Sequence, residues 1–235
     1  MITLRSKAVH ASLACTLIVM TGWCVTAGEP KIAAKPLTIV ECKQLVEQLA
    51  NPNKPPFTEL YVRELPKGVR ETDLNDSQKP IAAAYNLLSA NIEVALPVLL
   101  ANCDDKRFSY VYEVGISAVY KCETVGGACS RIIGAHIDVC SNVVTKYNAE
   151  GRSKSLQFNY DKAGGYEKWW KDRDGWNVRE LQLGLIELAL RQPQPDFFSA
   201  REWATAKKEL NRLAKQIRDT KRPIPVEHKV QFFSK

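Results

Sequence analysis

The sequence predicts an all-α single domain with one short extended or hairpin excursion near residues 108–123. Three observations carry this. Thr38-x-x-Glu41, Asn177-x-x-Glu180 and Ser199-x-x-Glu202 each stand directly before a run of apolar residues at helical spacing. In that pattern a side-chain oxygen and an acid three residues on satisfy the unpaired N–H groups of a helix start. The stretch Pro80–Arg107, PIAAAYNLLSANIEVALPVLLANCDDKR, reads as two short apolar helices joined by a tight connection. Around Phe108–Glu123 the character changes: Phe108, Tyr110 and Tyr112 alternate, and Val111, Val114, Ile116, Val119 and Tyr120 favour extended chain.

Residues 1–27 are expected to be a signal peptide. Arg5 and Lys7 form a basic opening, and Ala11–Met20 is an apolar core of roughly ten residues, too short to span a bilayer. Val25-Thr26-Ala27 then offers small or short side chains for cleavage before Gly28. Trp23 fits a lipid-attachment motif at Cys24 badly, so the expected product is a soluble exported protein, periplasmic or secreted. No later apolar run is long and charge-free enough to predict a transmembrane segment. The net charge of +7 falls to +5 once Arg5 and Lys7 are removed. That mild excess permits an anionic partner without requiring one.

Residues 28–36 read as a polar lead-in and 37–222 as the helical domain. The first helix is predicted over Thr38–Asn51, with Cys42, Leu45, Val46 and Leu49 inward. Residues 52–78 contain four prolines and are predicted to hold at most a single turn, pinned through Phe57, Leu60, Tyr61 and Val62. Pro80 suits the first turn of the second helix, and Ser89-Ala90-Asn91 the turn after it. Pro97 places the start of the third helix near Ala95 or Leu96. Thr124 caps a long helix from Gly126 to about Tyr147, with Cys129, Ile132, Ile133, His136, Val139, Cys140 and Val143 on one face. Residues 148–164 read as loop and Gly165–Arg173 as a short aromatic helix ended by Asp174-Gly175. Helices over Asn177–Arg191 and Ser199–Arg222 follow, separated by Gln192-Pro193-Gln194-Pro195. The tail 223–235 is expected to be extended.

The segment ALPVLLANCDDKR, preceded by IAAAYNLL, resembles a HEAT-like helical hairpin, with Pro97 opening the second helix and Asp105 and Arg107 just beyond it. The order ALPVLL, DDKRFSY, VGGAC, KWW and RELQLGLIELAL, within residues 37–192, is similar to a group of uncharacterised exported bacterial proteins with HEAT-like helical cores. The resemblance implies irregular HEAT-like hairpins and no activity. No second copy of the hairpin aligns at a period of about 30–45 residues, so a regular solenoid is not expected.

Five cysteines follow residue 27: Cys42, Cys103, Cys122, Cys129 and Cys140. An oxidising compartment allows two disulfides and one free thiol. Cys122 and Cys129, either side of Gly126-Gly127, are the candidate pair; the alternative is that such residues are small buried hydrophobes. Cys129, His136 and Cys140, even with Cys122, match no zinc-site spacing, and neither metal nor cofactor is expected. His136 and His228 are the two histidines after residue 27, and no G-x-S-x-G or phosphate-binding glycine motif occurs. Asp104-Asp105 beside Lys106-Arg107 reads as an ion-pair network rather than a catalytic carboxylate pair. Two surfaces are candidates for binding. Tyr166, Trp169, Trp170 and Trp176 form the densest aromatic group, with core packing as the alternative. Lys207, Lys208, Arg212, Lys215 and Arg218 on the last helix are a candidate anion-binding face. The expectation is therefore an exported, non-catalytic interaction or scaffold protein whose partner is a protein or an envelope polymer, with no specific nucleic acid. The alternatives are an envelope hydrolase using a carboxylate or Cys/His site, and a binder of anionic polymer through the basic C-terminal helix.

Overall fold

The computed structural model describes residues 36–59, 61–114, 119–147, 153–155, 168–169 and 172–226. The expected signal peptide, most of the lead-in, Leu60, Gly115, most of the aromatic helix and the end of the tail lie outside the described residues. Within them the chain is mostly helical, with two small two-stranded sheets.

Helix α1 (Ile39–Gln48) starts where the sequence places it. Glu41 N donates to Thr38 Oγ1 at 3.2 Å and Thr38 N donates to Glu41 Oε2 at 2.7 Å, the reciprocal box the motif predicts. Its buried stripe is Cys42, Leu45 and Val46. Helix α2 (Glu71–Ala90) begins nine residues earlier than Pro80 suggests. Pro80 lies inside the helix on its exposed side, where water can take the carbonyl that its missing N–H leaves free. The added turns are held from outside: Val111 N donates to the buried Gln78 side chain and Tyr120 OH donates to Glu71. The bidentate Arg70–Asp73 pair steadies the first turn.

Helix α3 (Ile92–Ala101) begins at Ile92, not at Ala95, with Pro97 tolerated on its exposed face in the same way. The pair α2 and α3 bends by 117° across Asn91. No single helix among the described residues is long and apolar enough to cross a membrane.

The excursion is an antiparallel hairpin, β1 (Phe108–Val114) with β2 (Val119–Thr124), pairing Val111 with Cys122 and Glu113 with Tyr120. A register shift between Phe108 and Val111 changes which side chains share a face. Phe108 therefore joins Val111, Tyr120 and Cys122 in a small cluster with Phe57, Val62, Leu65 and Leu74. Tyr110 and Tyr112 face the main core instead. The loop after α1 covers the outer side of the hairpin, with Val62 and Tyr120 exchanging backbone hydrogen bonds of 3.0 and 2.8 Å.

Helix α4 (Val125–Ile137) is capped by Thr124, whose Oγ1 accepts from Gly127 N at 3.0 Å. It is ten residues shorter at its far end than the periodicity predicts. Asp138 leaves helical geometry and its carboxylate binds Ser141 N and Oγ. The chain then forms the single turn α5 (Ser141–Val144) and strand β3 (Thr145–Tyr147), which pairs with β4 (Ser153–Ser155) inside the predicted loop. Helix α6 (Val178–Leu190) opens on the Asn177–Glu180 box and α7 (Ala200–Thr220) on the Ser199–Glu202 box, both as expected. One apolar core runs through α1, α2, α3, α4, α6 and α7. Leu49, Leu88, Leu96, Leu99, Ile132, Ile133, Leu181 and Leu185 are among its largest fully buried side chains.

Candidate functional site

Among the described helices, α7 carries the most pronounced division of faces. Trp203, Ala206, Leu210, Leu213, Ala214 and Ile217 are buried, so one side is committed to the core. At about 100° per residue, Arg201, Lys208 and Lys215 fall on one line of the opposite face, each about 10 Å from the next along the axis. Arg212 stands beside that line, and all four are exposed. Residues 199–222 hold eight basic and three acidic side chains.

The structure divides the five predicted anion-binding residues. Lys208, Arg212 and Lys215 are outward. Lys207 lies at the flank, 5.8 Å from the Trp203 ring centre, and Arg218 reaches Glu187 of α6 at 3.5 Å. The three acids are each engaged locally. Glu202 closes the capping box, Glu209 binds Arg212 at 2.6 Å, and Asp219 binds Lys215 at 2.5 Å. Among the described residues Arg201 and Lys208 have no acidic partner. Arg201 was missed by sequence reading because it sits inside the capping sequence, yet its spacing of seven from Lys208 was available as a signal.

The aromatic group is differently placed from the surface envisaged. Trp169 is buried in the main core, which removes it from any contact surface, and Trp176 is 39% exposed. Arg173 lies 4.1 Å from the Trp169 ring centre and 5.3 Å from that of Trp176. Gly184 of α6 lets the rings lie against the helix, since a Cβ there would stand 2.8 Å from Trp176 Cζ3. Tyr166 and Trp170 fall outside the described residues.

Among the described residues no disulfide joins the cysteines, with Cys122 half-buried on β2 and Cys129 buried on α4. Burial pushes the Cys129 thiol up to about 12 and raises Cys122 above its ordinary value. Neither is poised as a thiolate nucleophile. Cys122, Cys129, His136 and Cys140 do not gather: among the described residues no three His, Cys, Asp or Glu side chains converge on a point that could hold a metal ion.

One contact has nucleophile–base character: Ser89 Oγ lies 2.8 Å from His136 Nε2. The two residues are 47 positions apart, and nothing in the sequence links them. The cleft between α1 and α3, of about 480 Å³, is lined by Lys43, Glu47, Pro97 and Val98 among others and takes in neither Ser89 nor His136.

The Asp104–Arg107 corner is a structural clasp. Arg107 holds Glu47 of α1 at 2.6 Å and Asp105 at 2.6 Å. Its hydrogen bonds keep both carboxyls below their ordinary range. The carbonyls of Asp105 and Arg107 accept from Gly126 N and Val125 N, both at 2.9 Å, and so take the first N–H groups of α4.

No known protein family, curated protein or solved structure matches the chain.

Proposed function

We propose that the chain is an exported, non-catalytic interaction module that binds an anionic polymer of the envelope through the outward face of α7. The observation that carries this reading is the line Arg201, Lys208 and Lys215, with Arg212 beside it, on a helix whose other face is given to the core. A small anion needs donors converging on a point. An exposed row with a step of about 10 Å instead suits an extended chain of repeated negative charges. Because the apolar side of α7 is buried, the helix has no face to insert into a bilayer, and attraction at its surface is electrostatic.

The same reading keeps the likeness to exported proteins with HEAT-like cores. What supports it is the sharp α2–α3 hairpin, Pro97 within its second helix, and the Asp105–Arg107 pair just after it.

The test is retention on a sulfated-polysaccharide resin at low salt. The wild-type chain should bind and elute with added salt. The Arg201→Glu/Lys208→Glu/Lys215→Glu chain should elute at clearly lower salt, and Arg191→Glu, an exposed change at the C-cap of α6, should elute with wild type. Unchanged retention of the triple variant removes α7 as the binding face.

A further inference from the structure

Gln182 is wholly buried on α6, between the core positions Val178, Leu181 and Leu185. An amide in such surroundings is costly unless every polar atom is used. Here it is spent on backbone. Nε2 donates to the carbonyl of His136, at the end of α4, at 2.7 Å and to the carbonyl of Ile224 at 2.8 Å. Oε1 accepts from Ile224 N at 2.8 Å. One side chain therefore holds both backbone polar groups of a residue 42 positions away. Those bonds do not depend on the identity of side chain 224, which adds its own packing against the main core.

The segment that fills this place is prepared for it. Pro223 and Pro225 have no N–H, and the residue before a proline is held out of helical geometry. Pro223-Ile224-Pro225 thus arrives with a single N–H donor, and that N–H, the Ile224 carbonyl and the Ile224 side chain each find a partner in the seam. The chain enters through Lys221 at φ 53°, the one non-glycine residue of positive φ among the described residues. That left-handed residue is the C-cap of α7, the point at which the chain leaves the helix for the seam.

We propose that the seam between α4 and α6 is a receptor for an extended Pro–aliphatic–Pro segment, filled in each chain by its own tail and open by exchange to the tail of a second copy. Exchange of an identical element reuses contacts that already fit, and the tail follows directly on the C-cap of α7 at Lys221.

The test uses the full chain and a capped, fluorescein-labelled hexapeptide of residues 221–226. Ile224→Asp sets a carboxylate where the aliphatic side chain packs against the core, which favours release of the tail and leaves Gln182 and the rest of the receptor unchanged. By anisotropy the Ile224→Asp chain should bind the peptide about tenfold more tightly than wild type, whose tail competes at high effective concentration. Adding Gln182→Ala should remove that binding. Equal binding by wild type and Ile224→Asp, or undiminished binding by the double variant, overturns the receptor. Hydrogen exchange reads the same site without any variant. The Ile224 amide of the wild-type chain should exchange faster in millimolar unlabelled peptide, and an unchanged rate overturns the proposal. Exchange between copies is read by light scattering on an equimolar mixture of Gln182→Ala and Ile224→Asp chains, where an intact tail and an intact receptor meet only between molecules. A one-to-one complex supports exchange, and monomers alone overturn it.

Discussion

Arg107 shows how much one side chain can organise here. It joins Glu47 on α1 to Asp105 in the turn that follows α3, while its carbonyl takes Val125 N of α4. The pairs are partly solvent-exposed, and such contacts contribute little singly but more as a network of bidentate bonds. Both carboxyls titrate below their ordinary values in the folded chain. Their contribution is therefore fully present above the unfolded carboxylate range, about pH 4, and is lost as pH falls through the lower folded values. Arg107→Ala should lower the melting temperature by about 2–4 °C at pH 7. The gap from wild type should close in melts run near pH 2. Arg107→Lys should recover only part of the loss, because an ammonium cannot present the paired N–H groups that meet two carboxylates. A gap as wide at pH 2 as at pH 7 would show that Arg107 acts through packing alone.

At the scale of elements, the seating of α4 decides the geometry of the middle of the chain. A Cβ at Gly126 would stand 2.3 Å from the carbonyl oxygen of Cys103, which is backbone and cannot step aside. At Gly127 the obstacle is Glu123 Oε1 at 2.0 Å, the end of a side chain that can rotate, though only by loosening its 2.7 Å bond to Arg131. Gly126→Ala should therefore destabilise by about 1–3 kcal/mol in urea unfolding, and Gly127→Ala by clearly less. The reverse order would contradict this account of how α3 and α4 meet. The cap at Thr124 and the two glycines after it are legible in the sequence, but the need for close approach lies in Cys103, more than twenty residues away.

The same contrast runs through the other elements. The three capping boxes were legible because cap and acid are three residues apart and satisfy each other locally. The start of α2 was not, because its early turns are held by Val111 and Tyr120 of a hairpin that follows in sequence. The two internal prolines misled in the same direction. The rule against proline in a helix weakens when the freed carbonyl faces water, and exposure is a property of the folded molecule. Of the candidate site, the charge on α7 was legible, but the division of its lysines and arginines into outward, flanking and paired groups required the partners on α6.

At the scale of the whole molecule, the thiols report on the core. Cys42, Cys129 and Cys140 are fully buried and Cys103 is 3% exposed, all within the main cluster. Cys122 alone among them belongs to the smaller cluster under the loop, and it lines an open cleft with Phe57, Lys106 and Glu123. Reaction of the first four requires the main core to open, whereas Cys122 needs only a local movement of the covering loop. A brief iodoacetamide pulse on the native, reduced chain, read by peptide mapping, should label Cys122 about tenfold or more ahead of the others. Its rate should climb steeply above neutral pH, because burial raises the thiol and leaves little thiolate at pH 7. Equal labelling of Cys129 would mean that the two clusters open together as one unit. The same map on protein recovered from an oxidising compartment reads the pairing expected from the spacing of Cys122 and Cys129. If that bridge forms, Cys122 is silent until reductant is added. If Cys122 labels at the same rate with and without reductant, it is free there too, and the compartment has not changed the thiol that the fold leaves most accessible.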